Sequence, residues 1–184
     1  MPSAPRPRAL VFDVMGTVVD DVGGVRDSTV TALARRGDDE QAALRVAAST
    51  AARLKDLMRE VNEGRRPWAS HRDLRREAVR AAVSDAGLAP LDSGLETELD
   101  DVVDRFEPWP DSVAGLDRLR AQRVVVALTN ADPDELAFLS LSGGLAWHLA
   151  LSTRPSGVFK PDPRAYAVAI DALDLRPDQI MKVA

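Results

Sequence analysis

The sequence predicts an α/β fold in which a parallel sheet carries a helical block inserted after its first strand. Two observations support this prediction. From residue 107 onward, short apolar runs alternate with helical segments, whereas residues 25–106 show helical periodicity only. Strands that alternate with helices through short links indicate a parallel sheet with right-handed crossovers.

The first strand is predicted at residues 8–13, where the apolar run Ala9–Phe12 leads into Asp13. Gly16 follows as a turn signal. Ligands of open α/β sheets bind beyond the carboxyl ends of the strands, and an aspartate in that position, such as Asp13, can act as a nucleophile. For this residue alone, an aspartate that caps a turn or a helix is an equally good explanation.

Helical periodicity fills the next part of the chain. The predicted helices cover residues 25–36, 39–62, 70–86 and 92–105, separated by Gly- and Pro-containing breaks. Leu54, Leu57, Met58 and Val61 recur at helical spacing within the second of these helices. We interpret that stripe as a packing face and not as a cofactor site.

After the prolines at Pro108 and Pro110, which stop a helix, strands and helices alternate. Asp111 and Asp132 are predicted N-caps, the latter with Pro133 at the first helical position. The remaining elements are helices at 112–121 and 163–173 and strands at 124–128, 149–152 and 180–184. The predicted organisation is a sheet core of residues 8–20 and 107–184 with a helical cap of residues 21–106.

Composition excludes several classes of function. The 184 residues suffice for a real core, and a net charge of −5 gives no electrostatic case for nucleic acid or for an anionic membrane. The absence of cysteine excludes disulfides, thiolate metal sites and thiol nucleophiles. His71 and His148 are the only histidines and lie outside any metal-ligand spacing, so we expect no metal and no cofactor.

The sequence also bears on location. No apolar segment approaches the 18 residues that would suggest a membrane span. No apolar core of a signal peptide follows the proline- and arginine-rich residues 1–8. We therefore expect a cytoplasmic protein without a membrane partner.

Polar side chains stand at or just after three predicted strand ends, namely Asp13, Thr129 with Asn130, and Lys160. Parallel strands bring such ends to one edge of the sheet. A nearby ammonium lowers the pKa of a carboxyl group, so Lys160 could keep Asp13 ionised. Thr129 or Asn130 could donate hydrogen bonds to a substrate carboxylate or an oxyanion, and Thr17 could bond back to Asp13. Taken singly, these residues are common in turns and solvated loops.

Together the motifs resemble those of the haloacid dehalogenase (HAD) superfamily, and most closely its branch of L-2-haloacid dehalogenase-like (type II) proteins. The similar segments are residues 12–17, 128–130 and 159–166 for the three motifs, and residues 64–68 and 108–111 at the cap. The resemblance covers nearly the whole chain from Arg8 onward. It implies a HAD-like fold, with a Rossmann-like core and an inserted helical cap domain.

The resemblance also implies a reaction. Asp13 displaces halide from a 2-halocarboxylate to give an ester, and water then attacks the ester at the Asp13 carbonyl carbon and releases a 2-hydroxy acid. Lys160 is the implied charge partner, Tyr166 lies near the site, and no metal is needed. The implied partner is a small-molecule carboxylate, and dimerisation through the cap, common in this branch, allows a homodimer.

A cap arginine usually binds the substrate in this family. We predict Arg53 for this role, with Arg45, about two helical turns earlier, as another candidate; the alternative is that Arg53 is a solvated arginine on the helix surface. Met15, Thr129, Asn130 and Tyr166 are the other predicted substrate contacts.

A magnesium-dependent small-molecule phosphatase is the second hypothesis. In phosphatases of the superfamily, the residue two positions after the nucleophile is an aspartate that acts as general acid beside the magnesium ion. Met15 stands there in this chain. A thioether cannot protonate a leaving group and is a poor ligand for Mg²⁺, so this hypothesis is disfavoured. The resembled dehalogenases usually carry an aromatic residue there, so Met15 departs from both patterns.

A truncated, inactive HAD-like domain is the third hypothesis. The fourth family motif, an acidic residue that positions the hydrolytic water, would follow the strand at residues 180–184. We expect weak or no turnover without it. An ester on Asp13 could accumulate, because only the second step needs that acid.

Overall fold

The computed structural model describes residues 7–184, so residues 1–6 of the proline- and arginine-rich start lie outside it. Four strands of the described part form one parallel sheet in the order β3-β2-β1-β4. They are β1 (Ala9–Phe12), β2 (Val124–Thr129), β3 (Leu149–Ser152) and β4 (Ile180–Val183). The predicted α/β fold is confirmed, and every strand ends within one residue of its predicted bounds.

A helical region lies between β1 and β2 in sequence and forms the cap. It contains α1 (Asp21–Arg36), α2 (Glu40–Asn62), α3 (His71–Asp85), α4 (Ser93–Asp100) and a short 3-10 helix (Asp101–Arg105). The first helix begins four residues before its predicted start. The cause is a cap: the Asp20 carboxylate accepts the backbone N–H of Gly23 at 2.8 Å.

Three further helices follow the cap, and together they cover both faces of the sheet. They are α5 (Ser112–Arg120), α6 (Pro133–Ser142) and α7 (Pro163–Leu173). Phe12 and Val125 pack on the side of α5 and α6, whereas Val11 and Val126 pack against Ala169 of α7. Asp111 occupies the N-cap position of α5, but its side chain makes no capping hydrogen bond there, so that prediction is wrong in its chemistry.

The cap has an apolar core of its own. Its buried members come from all four helices: Ala32, Leu33, Ala43, Val46, Val79, Ala82, Val83 and Leu99. A second cluster joins the cap to the sheet domain, where Val61 and Leu74 pack against Phe159 in the loop after β3. The predicted stripe on α2 belongs to this second cluster, which confirms it as a packing face.

A buried ion pair also joins the two parts. Glu135 near the start of α6 is fully buried, and it accepts hydrogen bonds from the Arg75 guanidinium at 2.5 Å and from the Asp132 N–H at 2.9 Å. Arg75 on α3 is itself only 3% exposed. Burial alone would raise the pKa of Glu135, but the neighbouring Arg75 and His71 lower that pKa to about 2. The cap is therefore fixed to the core through a carboxylate that stays charged.

Within residues 7–184, no helix combines the length and the apolar character that crossing a bilayer requires.

Candidate active site

The carboxyl ends of β1 and β2, which are neighbours in the sheet, bring the predicted polar residues together. Asp13 directly follows β1, Thr129 ends β2 and Asn130 comes next. The Lys160 ammonium lies 2.6 Å from Oδ1 of Asp13 and 2.5 Å from the carbonyl oxygen of Leu128. A lysine 147 residues away in sequence is thus placed on the carboxylate, because its loop follows β3 at the same sheet edge.

The Asp13 carboxylate is held at one oxygen. Its Oδ1 accepts hydrogen bonds from the Lys160 ammonium and from the backbone N–H of Val14 at 2.8 Å. Within the described chain, Oδ2 has no hydrogen-bond donor. The Asp13 side chain keeps 30% of its surface exposed, whereas that of Lys160 keeps 9%. The carboxylate therefore has one anchored oxygen and one oxygen without a donor among the described residues.

Burial lowers the pKa of Lys160, and the charge of Asp13 opposes that effect by favouring the ammonium form. The two hydrogen bonds from Nζ act in the same direction as Asp13, because an ammonium group donates and cannot accept.

Asn130 positions the lysine loop. Its Oδ1 accepts the backbone N–H of Lys160 at 2.8 Å, and its Nδ2 donates to the Lys160 carbonyl at 3.3 Å. The Thr153 hydroxyl also donates to that Oδ1, at 3.2 Å. Thr129 is fully buried, and its hydroxyl accepts the N–H of Ala131 at 3.2 Å. Asn130 and Thr129, which the sequence analysis assigned to the substrate, thus make hydrogen bonds within the site.

Asn62, at the end of α2, holds the same loop from the cap side. Its Nδ2 donates to the carbonyl of Phe159, and its Oδ1 accepts the N–H of Phe159, both at 2.8 Å. Phe159 directly precedes Lys160. Sequence reasoning took Asn62 only as part of a helix break, and no local signal distinguishes a turn asparagine from one that bonds to a distant loop.

A cavity of about 680 Å³ lies between the cap and this sheet edge. Asp13, Thr129, Asn130 and Lys160 contribute its polar lining, and Met15 and Tyr166 line it as well. Apolar side chains of α1 and α2 form much of the opposite wall: Val22, Val25, Leu44, Ala47, Ala48, Ala51, Leu54 and Met58. Leu54 and Met58 of the packing stripe thus also face the cavity.

Two predicted site residues lie elsewhere. The Arg53 side chain turns away from the cavity, where its guanidinium pairs with Asp85 of α3 and donates to the Ser49 hydroxyl at 3.2 Å. Thr17 does not line the cavity, and its hydroxyl makes no hydrogen bond within the described residues. The structure therefore directs the Arg53 guanidinium to Asp85 and shows no hydrogen bond between Thr17 and Asp13 within the described residues.

Other charged groups do line the cavity. Arg26 pairs with Asp27 at 2.7 Å, and the Lys182 ammonium lies 5.3 Å from the centre of the Tyr166 ring. Lys55 of α2 also lines the cavity and makes no ion pair within the part of the chain that the structure describes. Lys55 and Lys182 are thus the lining lysines without an ion pair among the described residues, and Lys55 is the one on the cap side.

A second carboxyl group, that of Asp21, also lines the cavity. Burial is the largest influence and raises the pKa of Asp21, and the charges of Asp20 and Asp13 act in the same direction. Among residues 7–184, no group of three or more histidine, aspartate or glutamate side chains is arranged to hold a metal ion.

Comparison with known proteins agrees with this geometry. Residues 7–183 match the family of haloacid dehalogenase-like hydrolases. The chain is 30% identical over 179 residues to an (S)-2-haloacid dehalogenase of Xanthobacter autotrophicus, an alignment that covers 96% of this chain and 67% of that protein.

Solved structures show the same likeness. The structure of a defluorinating L-2-haloacid dehalogenase superposes with a TM-score of 0.89 at 30% identity, and the match covers 98% of this chain and 75% of that one. The Xanthobacter autotrophicus L-2-haloacid dehalogenase with chloropropionic acid covalently bound superposes with a TM-score of 0.82 at 26% identity, over 96% of this chain and 69% of that one. The chain thus spans roughly two thirds to three quarters of the length of these relatives.

Proposed function

The chain belongs to the family of haloacid dehalogenase-like hydrolases, and we propose that it is a 2-haloacid dehalogenase with Asp13 as its nucleophile. The observation that carries the proposal is the contact of 2.6 Å between Lys160 and Asp13 at the polar end of a largely apolar cavity. An adjacent ammonium favours the ionised carboxylate that attack requires. We propose the cap of residues 21–106 as one wall of this site and the core of residues 8–20 and 107–184 as the other.

In the first step, Oδ2 of Asp13 attacks C2 of the substrate. A carbon–oxygen bond forms while the carbon–halogen bond breaks, and the halide leaves with the bonding electron pair. Oδ2 is the attacking atom because Oδ1 already accepts two hydrogen bonds. The product of this step is an ester on Asp13.

In the second step, water attacks the carbonyl carbon of that ester. Negative charge then develops on Oδ1, where the Lys160 ammonium and the Val14 N–H already donate. Donors that are in place before the charge develops stabilise such a transition state. Collapse of the intermediate regenerates Asp13 and releases a 2-hydroxy acid, so the net reaction consumes one water and releases a proton with the halide.

Met15 favours this chemistry over transfer of a phosphoryl group. Its thioether lines the cavity beside Asp13. It supplies neither the proton that a phosphate ester's leaving group needs nor a hard oxygen ligand for magnesium. An apolar side chain at this position instead suits an organic halide.

The substrate carboxylate needs a cation, and we propose Lys55 for this role in place of Arg53. Lys55 lines the cavity without an ion pair among the described residues, whereas Arg53 is held by Asp85.

Incubation with 2-chloropropionate tests the proposal. We expect released chloride and, where the second step is slow, a chain whose mass has increased by one propionate ester that maps to Asp13. Asp13→Asn should give neither. Asp111→Asn is the matched control, because Asp111 is exposed and lies outside the cavity. A wild-type chain that neither releases chloride nor gains the ester would refute the assignment.

A further inference from the structure

The cavity is large for the smallest haloacids. Its volume of about 680 Å³ falls within the range of roughly 300–1,000 Å³ that holds drug-sized ligands. The acid 2-chloropropionate has only a handful of non-hydrogen atoms. Bound at Asp13, it would occupy a small part of the space and leave the rest to water.

Most of the apolar lining lies on the cap side of the cavity, where it is interrupted by the charged Asp21, Arg26 and Lys55. The polar groups of the reaction, Asp13, Asn130 and Lys160, come from the sheet edge. The wall formed by α1 and α2 is mostly apolar, and Val22 within it is 72% exposed. A large hydrophobic side chain that faces a cavity without a partner marks a surface that an apolar ligand can cover.

Alanines on α2 create the space. Ala47, Ala48 and Ala51 face the cavity in the middle of the helix, and the last two are exposed. Each side chain ends at Cβ, so the helix surface recedes between Leu44 and Leu54. From Ala47 to Leu54 the helix rises about 10 Å, which defines a shallow apolar channel along α2.

We propose that this site takes 2-haloacids whose C2 carries a long apolar substituent, which lies in the channel along α2. The inference rests on the proposed function, because Asp13 must hold C2 at the polar end of the cavity. Each methylene group buried in the channel should raise kcat/KM by about fourfold. Three added methylenes should therefore raise it by about tenfold or more, allowing for incomplete burial.

The experiment compares kcat/KM for 2-chloropropionate and 2-chlorohexanoate, by chloride release, in the wild-type chain and two variants. Ala51→Leu fills the channel, whereas Ala52→Leu adds the same side chain to an exposed position of α2 outside the cavity. Leucine is a good helix former, and thermal melting checks that both variants fold. We expect wild type to prefer the hexanoate by about tenfold, Ala51→Leu to lower the ratio of the two kcat/KM values toward one, and Ala52→Leu to keep the wild-type ratio.

The outcomes separate the two proposals. Chloride from 2-chloropropionate without a gain for the longer acid overturns the inference alone, as does an equal loss on both acids in Ala51→Leu. Chloride from neither acid overturns the proposed function and this inference with it.

Discussion

Replacing Glu135 with glutamine should destabilise the fold by about 3–5 kcal/mol near neutral pH, which is the usual cost of removing one partner from a buried ion pair. Glu135 is fully buried and accepts hydrogen bonds from Arg75 and from the Asp132 N–H. A glutamine oxygen can still accept, but it carries no charge. Arg75, which is 3% exposed, would then keep its positive charge inside the protein without a counter-charge.

The effect should depend on pH. The pKa of Glu135 is about 2 in the folded chain, below its ordinary value of 4.5, so the unfolded chain binds this proton more readily. The stabilisation is therefore fully present above about pH 4.5 and is lost as the pH falls toward 2. The difference between the two pKa values corresponds to a contribution of about 3 kcal/mol to the free energy of unfolding, and about 2 kcal/mol of that contribution is lost by pH 3.

Urea denaturation at pH 6 and pH 3, followed by tryptophan fluorescence, measures both quantities. Glutamine does not titrate, so the stability gap between wild type and Glu135→Gln should narrow by about 2 kcal/mol between these pH values. Glu96→Gln is the control, because Glu96 pairs with Arg80 on the cap surface, and such pairs contribute little. A gap of equal size at both pH values, or a Glu135→Gln chain as stable as the control, would refute the reasoning.

Three further changes address the site. Lys160→Met should lower kcat/KM for 2-chloropropionate by about a hundredfold or more, because it removes a donor from Oδ1 of Asp13. Chloride release measures kcat/KM, and a loss below about threefold would contradict the prediction. Asn62→Ala should lower kcat about tenfold with a smaller change in KM, because the loop that presents Lys160 loses its bonds to α2; an unchanged kcat would show that the loop holds its position without them. Lys55→Ala should raise KM about tenfold, whereas Arg53→Ala should leave KM nearly unchanged, and the reverse result would return the carboxylate site to Arg53.

The strands were predictable because buried parallel strands are continuous apolar runs that end in turn residues, and the structure shifts each boundary by at most one residue. The start of α1 was not predictable from the sequence. Two glycines, Gly23 and Gly24, make residues 21–24 a poor helix by propensity. The helix nevertheless begins there because Asp20 caps it. Gly24 is required by packing, because a Cβ atom at this position would lie 2.3 Å from the Phe106 ring.

The sequence likewise predicted some residues of the candidate site and missed others. Asp13 was predictable because it directly follows β1, and Lys160 because its loop connects β3 to α7 at the same edge of the sheet. The direction of the Arg53 side chain was not predictable, because neighbouring helix positions point about 100° apart. The sequence does not tell which of them faces the cavity. Asn62 contacts a loop 97 residues away, so its role emerges only from the packed chain.

Two asparagines bind the loop before Pro161 from opposite sides, Asn62 from the end of α2 and Asn130 from the end of β2. A movement that lifts the end of α2 must therefore either break the bonds of Asn62 or carry Phe159 and the adjoining ammonium away from the nucleophile. The position of the Lys160 ammonium therefore depends on the packing of α2 as well as on the sheet.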